Sequence, residues 1–98
     1  MDKMEIIALL QKIGMKFYVD YYTFLTNENN STDYLIELVL KDHKDYSEKA
    51  IRTRISKSRK IFSNGKGKDA LLIIKNADKI DDETKNKINK LLWGTNGI

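Results

Sequence analysis

Residues 47–62 read SEKAIRTRISKSRKIF, and both the fold and the function turn on them. Six Lys or Arg stand here against one Glu. Ser47 is well placed as an N-cap, and Tyr46 before it with Ile51 after it matches the spacing of a hydrophobic staple. At 100° per residue, Ile51, Ile55, Ser58 and Phe62 fall on one narrow stripe, with Ile61 beside it. Lys49, Arg52, Ser56, Arg59 and Lys60 point away from that stripe, and Arg54 and Lys57 flank it. The spacing predicts a helix that is apolar on one side and polycationic on the other.

Working outward, Gly65 and Gly67 in SNGKGKD end this helix with a turn. Upstream, Ile6, Ile7, Leu9, Leu10 and Ile13 repeat at helical spacing and predict a helix over 3–13, stopped by Gly14. Residues 15–26, MKFYVDYYTFLT, read as one helix with aromatic residues on two faces, which implies burial on both or an interface. NENNST at 27–32 is a loop ending in capping residues, and a helix follows over 32–42. His43 lies in the turn after it. KDALLIIKNA at 68–77 is compatible with a buried strand or a buried helix. Helix is preferred, because a lone strand has nothing to pair with. Asp81 or Asp82 caps a last helix over 82–92 that Gly94 stops, and Trp93 is expected to seal the core edge. The expected fold is a single helical domain over 1–98: all-α, compact, five helices, with helices three and four as a helix-turn-helix-like pair.

With 98 residues and 41% hydrophobic content, the chain suits one small globular domain. There are no cysteines, so disulfides and thiolate metal sites are excluded. No apolar run approaches the ~20 residues that cross a bilayer, and the N-terminal stretch does not read as a signal peptide. No membrane association is expected, and a cytoplasmic location is.

The net charge of +4 is unevenly spread. Residues 1–40 carry three Lys against six acids, residues 41–68 ten Lys or Arg against three acids, and residues 69–98 five of each. Between Lys49 and Lys68 there are eight positive charges and no negative one. Such asymmetry points to a polyanionic partner.

Signals for catalysis are poor. In GKGK at 65–68, Gly67-Lys68 has Phe62 where a phosphate loop needs its first glycine and Asp69 where it needs Ser or Thr. Asp81, Asp82 and Glu83 sit at a helix start, where the helix dipole favours them for structural reasons. His43 has no second histidine to share a metal with. No catalytic residue, metal site or cofactor is assigned, and the chain is not expected to be an enzyme.

YSEKAIRTRISKSRKIF, residues 46–62, resembles the recognition helix of region 4 in bacterial sigma factors and related helix-turn-helix regulators. The matching positions are Ser47, Glu48, Ala50, Ile51, Arg52, Thr53, Arg54, Ile55, Lys57, Arg59 and Phe62. The resemblance implies that the N-terminal half of this helix enters the major groove of DNA, with Glu48, Lys49, Arg52 and Thr53 near bases or backbone. It covers about seventeen residues. The preceding turn, KDHKDY, is longer than that family's and has no glycine, and the chain runs on past the place where the family's module stops. The resemblance therefore implies a DNA-binding helix rather than a promoter-recognition factor.

All three arginines of the chain lie within eight residues, among fifteen lysines elsewhere and alongside. Arginine's planar fork suits guanine edges and phosphates as lysine does not. The expected function is a small non-enzymatic regulator, transcriptional or of a mobile element, that binds duplex DNA. Lys49, Arg52, Thr53, Ser56, Arg59 and Lys60 would contact DNA, and Lys57, Lys66 and Lys68 would contact phosphates. Arg54, near the core stripe, could instead pair with an acid such as Glu37. The alternative is an interaction module, an inhibitor or adaptor, whose basic face meets an acidic protein and whose apolar anchors are helix 15–26 and Trp93. RNA is a third possible partner, and a homodimer is possible.

Overall fold

The computed structural model describes residues 1–94. Among them the secondary structure is entirely helical, with seven helices in order: α1 Lys3–Ile13, α2 Met15–Asp20, α3 Tyr22–Thr26, α4 Thr32–Asp42, α5 Glu48–Ser63, α6 Gly67–Lys75 and α7 Asp82–Trp93. The all-α expectation holds, but the count of five does not. The segment 15–26 is broken at Tyr21, and the helix preferred for 68–77 stands at 67–75 as a separate element beside the others. No helix among the described residues is long and apolar enough to cross a membrane.

Four helices begin on the same device. The N–H groups of Glu5, Tyr34, Ala50 and Thr84 donate to the side chains of Asp2, Ser31, Ser47 and Asp81 at 2.7–3.1 Å. Each satisfies one of the orphan donors at a helix start. The bond to Thr84 holds the Asp81 carboxyl below the usual carboxylate range.

The core is built around α5, which packs on α1, α3, α4 and α6. Its Ile51, Ile55, Ser58 and Ile61 are buried, while Phe62 is half-buried. Opposite them stand Ile6, Leu10 and Ile13 of α1, Leu35, Ile36 and Val39 of α4, and Leu71 and Ile74 of α6. Burying an aliphatic side chain of this size stabilises by about 1.5–3 kcal/mol, so the stripe fixes which way α5 faces. Ser58 is tolerated in it because its hydroxyl donates to the Arg54 carbonyl one turn back, at 2.8 Å.

The break at Tyr21 falls where two long-range tethers meet. The Asp20 carboxylate accepts from Lys87 Nζ of α7 at 2.8 Å, a bond that also raises the Lys87 pKa. The Tyr21 hydroxyl donates to Asp42 Oδ2 of α4 at 2.6 Å. The kink lets the aromatic residues divide. Tyr18 and Tyr22 turn to Phe62, and Phe17 and Tyr21 pack on one another. Phe17, Tyr18 and Tyr21 are buried, so burial on both faces is the outcome.

The corner between α5 and α6 needs its glycines. Gly65 has φ +71°, and a Cβ on Gly67 would come within 3.1 Å of both the Phe62 ring and the Tyr22 hydroxyl. The Tyr18 hydroxyl, fully buried, donates to the Gly67 carbonyl at 3.0 Å. At the far end of the molecule, Trp93 does not seal the core. It is 70% exposed, while Thr84 and Ile88 of α7 are buried and Leu91 and Leu92 pack half-buried against the core in its place.

Candidate nucleic-acid interface

The outward side of α5 carries Lys49, Arg52, Thr53, Ser56 and Lys60, all exposed, with Lys57 half-buried at its edge. Lys49, Thr53, Ser56 and Lys60 form one line, because steps of three and four residues keep to one helix face. Each end of the line is a lysine and its middle is two small hydroxyls. The Thr53 hydroxyl donates back to the Lys49 carbonyl at 3.1 Å.

The three arginines do not form one set. Arg52 is on the exposed face and is shared between two carboxylates, Glu48 at 3.1 Å and Asp33 of α4 at 3.4 Å. Arg59 is turned in rather than out. It donates to the Asn30 carbonyl at 2.6 Å, with longer bonds to those of Asn27 at 3.4 Å and Leu25 at 3.5 Å. It thereby fastens the loop after α3 to α5. Asn30 completes the fastening by donating to the Phe24 carbonyl at 3.0 Å.

Arg54 makes no pair with Glu37. Its Nη1 donates to the Ile13 carbonyl at the end of α1, at 2.9 Å. Its guanidinium lies over the rings of Phe17, at 5.3 Å, and Tyr46, at 4.9 Å. Tyr46 in turn stacks on His43 at 4.4 Å, with the rings 10° from parallel. Gly14 makes room for this. It has φ +91°, and a Cβ there would stand 3.0 Å from Arg54 Nη1.

Of the remaining expected contacts, Lys66 is half-buried and within 3.7 Å of Asp69 on the first turn of α6. Lys68 is exposed on the same turn. The structure thus brings Lys49, Arg52, Thr53, Ser56 and Lys60 onto one surface, with Lys57 beside them. It withdraws Arg59 into a structural role and sets Lys66 just before α6 and Lys68 on its first turn.

One residue of this region escaped the sequence reading. Lys12, in the last turn of α1, lines the same open depression as Lys49, Thr53 and Arg54. In the sequence it stands in an apolar stretch far from the basic run, and only the packing of α1 on α5 brings it to the basic side.

No protein-family model, curated protein or solved structure matches the chain.

Proposed function

We propose that the chain binds nucleic acid, duplex DNA in the first instance, through the exposed face of α5, and that it acts as a small DNA-binding regulator. The observation that carries this reading is the line Lys49–Thr53–Ser56–Lys60 on a helix whose opposite face is locked into the core. Lys49 and Lys60 are separated by about 16 Å along the helix, at 1.5 Å per residue. The major groove is about 12 Å wide, so lysines at that separation reach phosphates on its two rims. Thr53 and Ser56 between them are short enough to let the helix approach base edges. The packing of α4 on α5 across residues 43–47 is compatible with a helix-turn-helix-like pair, and the local resemblance to the sigma-factor recognition helix points the same way. Arginine supports the reading less than its number suggests, because Arg54 and Arg59 already serve the fold.

Affinity on this reading comes from lysine–phosphate contacts. About four of them give a log–log salt slope near −3.6. Titration of a random-sequence duplex into the protein at ~50 mM salt, followed by fluorescence anisotropy, tests it. The double variant K49A/K60A keeps the helical circular dichroism and loses most of the binding. A wild-type protein that leaves the duplex unbound at that salt overturns the reading.

Binding of an acidic protein is the second reading, and the exposure of Trp93 favours it. Of the aromatic residues in its expected anchor 15–26, Phe17, Tyr18 and Tyr21 are buried, and Phe24 is exposed.

A further inference from the structure

Lys12, Ser47, Lys49, Ala50, Thr53 and Arg54 line an open depression of about 350 Å³ between the end of α1 and the start of α5. Three of the six are cationic and none is acidic. We infer that this depression is a phosphate seat, in which Lys12 and Arg54 join Lys49 around one phosphate group.

The three cations differ in a way that suits the task. Arg54 is fixed in advance: the Phe17 and Tyr46 rings hold its plane and the Ile13 carbonyl takes one N–H. A guanidinium has five N–H donors, so the others are available to a ligand without further ordering of the side chain. Lys12 and Lys49 are exposed and reach in from two different helices. The Ser47 oxygen accepts from the Ala50 N–H at 3.1 Å, which leaves its own O–H free to donate. Thr53 adds no donor, since its hydroxyl is committed to the Lys49 carbonyl. Ala50 is the small side chain that keeps the depression open. The result is one rigid planar donor, two mobile ammonium groups and one hydroxyl, a set that matches a tetrahedral oxyanion.

Two sources could supply the phosphate. A nucleic-acid backbone supplies it under the function proposed above, and in that form the inference rests on that reading. Inorganic phosphate supplies it otherwise. The full chain, labelled with ¹⁵N, is titrated with inorganic phosphate at constant ionic strength, and separately with the random-sequence duplex. Two variants accompany it. Lys12→Gln removes one exposed charge. Ala50→Glu fills the depression with a carboxylate and, three residues after the Ser47 cap, creates a capping box, so it leaves the helix at least as stable.

The expected result is a saturable phosphate-induced shift at the Lys12 and Ala50 amides and the Arg54 side chain, lost in both variants. Duplex binding by Lys12→Gln is then about threefold to tenfold weaker at ~0.1 M salt. Phosphate shifts at the seat with no duplex binding sustain the seat and overturn the proposed function. Duplex binding that both variants leave unchanged, with no phosphate shift at the seat, overturns the seat and sustains the function.

Discussion

Arg59 and Lys60 are neighbours in sequence and have opposite fates. Lys60 stays in solvent, and Arg59 folds back to hold three carbonyls of the segment 25–30. Arg59→Ala therefore acts first on stability. The expected loss is about 2 kcal/mol, which for a domain of this size lowers the thermal midpoint by roughly 8–16 °C. Arg59→Lys recovers less than half of it, because one ammonium cannot span the carbonyls that the fork reaches. Lys60→Ala leaves the midpoint within about 4 °C, since an exposed lysine away from any partner contributes little. Thermal denaturation of the three variants checks the ordering. The concentration of arginine in 52–59 was legible in the sequence, but its meaning was not. A helical wheel places Arg59 beside the basic face, and only the return of the loop after α3 puts acceptors within its reach. Arg54 teaches the same lesson from the other side. Its position near the core stripe was visible, and its acceptor, a main-chain carbonyl 41 residues away, was not.

Elements were legible wherever local chemistry decides them. Ser31, Ser47 and Asp81 are capping residues by type, and each caps the helix that periodicity placed after it. Ser47→Ala should cost about 1 kcal/mol and fray the start of α5, which amide hydrogen exchange at Lys49–Ile51 would register. Asp81 adds a pH dependence. Its folded pKa lies below the ordinary value, so the stabilisation it gives is complete above the unfolded pKa of about 3.9 and is lost as pH falls through the folded one. Asp81→Asn keeps a capping acceptor and removes that titration. Urea midpoints measured between pH 5 and pH 2.5 should fall less steeply for the variant than for the wild type. The break at Tyr21 was illegible for the complementary reason. Neither proline nor glycine marks it, and MKFYVDYYTFLT has a continuous helical pattern. Its cause is tertiary, in that Asp20 is bonded to α7 while Tyr21 is bonded to α4.

At the scale of the molecule, charge and packing meet in α5. The same helix supplies the buried centre of the fold and the cationic surface, so the surface inherits the rigidity of the core. This predicts that substitutions of the exposed lysines and stability separate cleanly. K49A/K60A should share the wild-type thermal midpoint while its salt slope for duplex binding falls by about 1.8, the loss of two phosphate contacts. Ile55→Ala should do the reverse in its primary effect, costing about 2–5 kcal/mol through the cavity it leaves under α5. The all-α class and the basic side were readable from periodicity and from the run of charge between Lys49 and Lys68. The breadth of that side was not, because Lys12 joins it only when α1 packs on α5.

The placement of Trp93 decides how folding of this chain can be watched. It is the single tryptophan, and its ring stands in water at the end of α7. Its emission is already that of a hydrated indole in the native state, so unfolding should barely move the spectrum. Ellipticity in the near ultraviolet behaves oppositely, since Tyr18 and Tyr21 are immobilised in the interior and lose their signal when it opens. The indole is instead an optical sentinel for anything that settles over the end of α7, and a blue shift on adding a ligand would locate that ligand away from α5.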